Sequence, residues 1–100
     1  MMKPYDLMTK CQQRLTDCEL PGIVKLQLDI SILRVKRILL GDGVETKVRL
    51  SSNLEDEFKE VYDQICDLCS EKHSICDVRD IIIRLQNLLD IMKELSNVKD

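Results

Sequence analysis

Apolar residues recur along most of this chain at spacings of three and four, the period at which one face of an α-helix repeats. Over residues 4–18, Met8, Cys11, Leu15 and Cys18 fall at i, i+3, i+7 and i+10. Pro4 suits a first helical turn, where a missing N–H leaves no gap, so a first helix is predicted there. Residues 51–72 read more firmly. Ser52 with Glu55 three places on is a capping-box pattern, and Leu54, Phe58, Val61, Ile65 and Leu68 form one stripe behind it. The opposite side, with Glu57, Lys59, Glu60, Asp63, Asp67 and Glu71, is acidic and predicted to be solvated.

Ser74 offers a second cap, with Asp77 three places on, and a last helix is predicted over about 75–97. Its apolar surface is broad. Ile75, Val78, Ile82, Leu85, Leu89 and Met92 make one seam, Ile81, Leu88 and Leu95 make a second beside it, and Ile83 and Ile91 add to these. One partner covers three or four apolar positions per two turns, so this helix is either the centre of the fold or partly covered by another molecule.

Residues 23–50 carry two patterns at once. Val24, Leu26, Leu28, Ile30 and Ile32 alternate with polar residues, as do Val44, Thr46, Val48 and Leu50 after Gly41-Asp42-Gly43, which is the signature of a β-hairpin. Yet Val24, Leu28, Ile32, Val35 and Leu39 also fit one helical face, with Leu26, Ile30, Leu33 and Leu40 on a second. Pro21 would then sit in the first turn and Gly41 just past the end. Length favours the helix, because an 18-residue strand would be about three times the usual length. Such a helix has only two narrow polar strips and would be sandwiched between neighbours. The expected fold is therefore all-α, a compact bundle of about four helices ending in an antiparallel helical hairpin. The alternative is α+β, with a β-hairpin at residues 23–50.

The chain has 100 residues, 44% hydrophobic and 33% charged, which suits a single globular domain over 1–100. The first fifty residues hold nine Lys and Arg against six Asp and Glu; the second fifty hold six against twelve. Two halves of net +3 and −6 attract one another, within one chain or head to tail between copies, while the acidic half repels nucleic acid and anionic lipid. The N-terminus has no apolar signal-peptide core and no stretch is long and apolar enough to span a membrane, so a cytoplasmic or nuclear location is expected. Five cysteines, an odd number without a repeating framework, agree with a reducing compartment, where Cys11 and Cys18 would act as small buried hydrophobes.

Three chemical constellations remain. Cys66, Cys69, His73 and Cys76 are the residue types of a Cys3His zinc site, but on one continuous helix they would spread over about 15 Å, so ligation needs a turn near His73. Arg34, Lys36 and Arg37, with Lys47 and Arg49, could meet three or four phosphates, without aromatic stacking and on an acidic chain. Gly41-Asp42-Gly43 is too short for a phosphate cradle, and the single His has no nucleophile beside it, so no enzyme, cofactor or small-molecule substrate is expected. What remains is a non-catalytic protein–protein interaction module, an adaptor or small subunit of an intracellular assembly, that binds other proteins or a second copy of itself. The zinc-stabilised domain and the weak nucleic-acid binder are the alternatives. The contact is predicted on the last helix at Ile81, Leu88, Ile91 and Leu95, the seam nearest the C-terminus and beyond the reach of a single hairpin partner; the alternative is that the helices over 4–18 and 21–40 cover both seams.

Overall fold

A computed structural model describes residues 2–70 and 75–97. Five helices occur in this part of the chain: α1 (Pro4–Thr16), α2 (Gly22–Leu39), α3 (Val44–Leu50), α4 (Ser52–Ser70) and α5 (Ile75–Asn97). The chain is all-α. Residues 23–50 form two helices and no hairpin, with Gly43 supplying the turn between them at φ +75°, a conformation that L side chains rarely adopt.

Four long helices surround one core. α2 packs chiefly on α5, and α1 packs on both α4 and α2, while α4 closes the square against α5. α1 and α2 are antiparallel, since Tyr5, Gln12 and Thr16 of α1 meet Lys36, Asp29 and Lys25 of α2 in reversed order. α4 and α5 lie antiparallel as predicted, since α3 leads into the start of α4 and its Lys47 reaches Leu95 at the end of α5, and Arg84 of α5 bridges Glu57 (2.8 Å) and Glu60 (2.6 Å) of α4. These groups are partly exposed, so the bridges contribute at most about 1 kcal/mol. The connecting residues, with the Ser74 cap and Glu71, lie outside the described residues.

The short helix α3, read as alternating strand positions in the sequence, plugs one end of the bundle. It touches all four long helices and buries Val44 and Val48 completely or nearly so. It also answers the open ends of two helices. The carboxylate of Glu45 accepts a hydrogen bond from the Tyr5 N–H at 3.1 Å, satisfying a free donor in the first turn of α1. Lys47 donates to the Leu95 carbonyl at 3.2 Å, in the last turn of α5. One four-residue turn thus puts a negative charge at a helix start and a positive charge at a helix end.

The core is apolar except for the Gln64 Oε1 atom, which is shielded from solvent with no hydrogen-bond partner among the described residues. Met8, Cys11, Leu28, Ile32, Val35, Phe58, Val61, Ile65, Leu85, Leu88 and Met92 are buried, and no described polar side chain is. The stripe Phe58, Val61, Ile65 and Leu68 faces inward as the spacing predicts. On α5, Val78, Ile81, Leu85, Leu88, Leu89 and Met92 are buried and Ile82 and Leu95 partly so, because α2 and α4 flank that helix. Leu88→Ala should lower stability by about 2–5 kcal/mol in urea or thermal unfolding, and Leu88→Lys should leave no cooperative transition.

Candidate interaction face

Leu50, Ile83 and Ile91 are exposed elsewhere, but most of the surplus apolar surface lies on α2. Its inner positions Leu28, Ile32, Val35 and Leu39 are buried, and on nearly the opposite side of the helix, at about 100° per residue, stand Ile23, Leu26, Ile30, Leu33 and Leu40. These five are 69%, 58%, 41%, 48% and 69% exposed. They run the full length of the helix, with Arg37 between Leu33 and Leu40, so they form one aligned stripe where isolated surface residues would need no explanation.

Each polar strip beside that stripe has a definite setting. On the α1 side, Gln12 donates to Asp29 at 3.2 Å and accepts from Lys36 at 2.8 Å, and Lys25 donates to the Thr16 carbonyl at 3.5 Å. Lys36 also sits 4.7 Å from the ring centre of Tyr5. On the other side lie Gln27 and Arg34. Towards the C-terminal end of α2 the stripe borders a hollow of about 390 Å³ lined by Tyr5, Ile30, Leu33, Lys36, Arg37 and Leu40, with Arg34 at its rim. That end is basic and apolar together, with no acidic residue in its lining.

The four residues predicted as the contact are distributed differently. Ile81 and Leu88 are buried beneath the flanking helices, Leu95 is half-buried, and only Ile91 is exposed, at 42%. The prediction assumed that a hairpin partner covers one seam of α5; here α2 covers the other. Ile91 instead borders a shallow groove between α4 and α5, with Leu54, Ile83, Asp56 and Asp80 among its walls. The signal for α2 was present in the sequence, in the second apolar face of Leu26, Ile30, Leu33 and Leu40. The pattern predicts a neighbour over that face, and the structure leaves it exposed.

The cysteines separate into paired and free. Cys18, expected as a lone thiol, is joined to Cys69 in a disulfide with Cα atoms 5.1 Å apart, tying the C-terminal end of α1 to that of α4. Cys11 is the buried free thiol the composition suggests, Cys66 is half-buried and Cys76 exposed. Of the Cys3His set, Cys69 is therefore held in a bridge and His73 lies outside the described residues. Among the described residues no three His, Cys, Asp or Glu side chains are placed to hold an ion. Of the basic set, Lys36 and Lys47 are committed to internal hydrogen bonds, leaving Arg34, Arg37 and Arg49 exposed. No described helix is long and apolar enough to cross a membrane. Comparison of the chain with family models, curated proteins and solved structures finds no match to any of them.

Two consequences are measurable. The Cys18–Cys69 bond closes a loop of 51 residues, so its reduction should cost about 4 kcal/mol of unfolding free energy, read as a lower urea midpoint with reductant. Burial, reinforced by the nearby Cys66, pushes the Cys11 thiol from 9.0 up to about 12. A thiol with a raised pKa stabilises the fold fully below its unfolded value, and this contribution is lost as pH rises through the folded one. Stability should therefore fall by roughly 2 kcal/mol more between pH 8 and 10.5 in the wild type than in Cys11→Ala.

Proposed function

We propose that the chain is a non-catalytic protein–protein interaction module, an adaptor or small subunit of an assembly, and that the outer face of α2 is its contact surface. The observation that carries this reading is the stripe of Ile23, Leu26, Ile30, Leu33 and Leu40, interrupted once by Arg37, on a helix whose opposite face is locked into the core. The fold does not require those side chains to be apolar, since the polar strips and the inner face already satisfy α1, α3 and α5. Aligned apolar surface of this extent is a feature of contact sites, and its basic rim adds orientation and selectivity.

The compartment in which it acts bears on the cysteines. The Cys18–Cys69 bridge persists in oxidising surroundings and opens in reducing ones, and it lies at the end of the bundle away from α3. The α2 stripe contains no cysteine, so the bond acts on the contact only through the position of α1.

The double substitution Leu26→Glu with Leu33→Glu places two charges on exposed positions. Circular dichroism and the unfolding midpoint should stay near wild type, within about 0.5 kcal/mol per site. Association, whether with copies or with a protein retained from the native source, should be lost. Association that persists in this variant would place the contact elsewhere.

A further inference from the structure

Resting on that reading, the geometry points to a second copy of this chain as the occupant of the α2 face, seated antiparallel across a two-fold axis. Three features carry the inference: the spacing of the stripe, its area and the placement of its charges.

Ile23, Leu26, Ile30, Leu33, Arg37 and Leu40 are separated by three, four, three, four and three residues. This is the 3.5-residue repeat by which two helices interlock side chains along their whole length. A compact ligand or a short anchored peptide needs two or three positions on one turn or two. A seam maintained over the full 18-residue helix matches a helix of equal length and equal period, and α2 of another copy is one. The five exposed apolar side chains offer on the order of 500 Å² per copy, so a symmetric pair buries about 1,000 Å² before the flanking Gln27 and Arg34 are counted, the lower bound of stable interfaces.

Charge decides the direction. Arg37 stands within the seam, so a parallel pair would press Arg37 against its own copy. In an antiparallel pair centred between Ile30 and Leu33, Arg37 instead lays its methylene stem over Leu26 of the second copy, Ile23 meets Leu40, and Ile30 meets Leu33. The edge of α2 beside α1 carries Asp29 and Lys36, both held there by Gln12. Reversed upon itself, that edge sets Asp29 of each copy towards Lys36 of the other, twice by symmetry. Being self-complementary, the contact closes at two chains.

The test uses the full chain. Sedimentation velocity across the micromolar range should show a dimer, and Leu26→Glu with Leu33→Glu should weaken it at least about tenfold with helicity unchanged. Orientation is read in a Cys76→Ser background under mild oxidation. Ile23→Cys mixed with Leu40→Cys should give disulfide-linked dimers, and neither variant alone should exceed the background. Self-linking of Ile23→Cys would overturn the antiparallel pairing. A wild-type chain that stays monomeric overturns self-pairing. If that monomer still retains a different protein from its native source, and loses it on the double Glu substitution, the contact role of α2 stands and only the occupant is wrong. A monomer that retains nothing through α2, or a dimer unaffected by the Glu pair, removes both.

Discussion

The breadth of apolar surface on α5 is the constraint from which the rest of the architecture follows. Val78, Ile81, Leu85, Leu88, Leu89 and Met92 are all buried, and they span more of the helix than one neighbour can cover. α4 meets α5 through a short connection and so takes one flank. The other flank needs a helix brought from earlier in the chain, and α2 supplies it with Leu28, Ile32, Val35 and Leu39. Once α2 and α4 occupy opposite corners, α1 fills the fourth, against both of them. The connection from α2 to α4 must then cross the end of the bundle, and that crossing segment is α3.

α2 consequently has one face in the core and one on the surface. Its inner side is indispensable to the core, and the position that makes it so leaves its outer side facing away from every other described helix. A polar outer face would fold equally well, because burial on the inner side supplies the packing, and the polar strips already meet α1. The apolar outer stripe therefore carries no folding role. It lowers solubility unless something covers it, and this imbalance between what the fold uses and what the helix offers supports a contact role for α2 over any site on α5.

α1, α4 and α5 were legible in the sequence because each carries a 3.6-residue period over more than ten residues, whereas α2, whose apolar positions also alternate as in a strand, was decided by its length. The stripe Phe58, Val61, Ile65 and Leu68 is inward as read, and Pro4 and Gly41 mark helix ends as read. α3 was not legible. Seven residues with Val44, Thr46, Val48 and Leu50 in alternation satisfy a strand pattern, and only the bundle end, where Val44 and Val48 face the core one turn apart, selects the helix. That Ile81 and Leu88 are buried was not legible for a related reason: two helices each showed two apolar faces, and periodicity states how many faces are apolar without stating which of them a neighbour covers. The Cys18–Cys69 pair, 51 residues apart, depends on α1 and α4 lying side by side, which no local pattern records.

The stripe on α2 is also presented rigidly, which bears on how strongly it can bind. Ile32, Leu28 and Val35 are fully buried directly beneath it, so the backbone that carries Ile30 and Leu33 has little freedom left to lose on contact. α1, which walls one side of the stripe, is held at both ends, by Glu45 at the Tyr5 N–H and by the Cys18–Cys69 bond beyond Thr16. Gln12 joins the two helices midway through Asp29 and Lys36. Most of the ordering that a contact helix requires is thus completed when the bundle folds, so that a stripe of modest area keeps more of its hydrophobic free energy for association than a flexible segment of the same composition would.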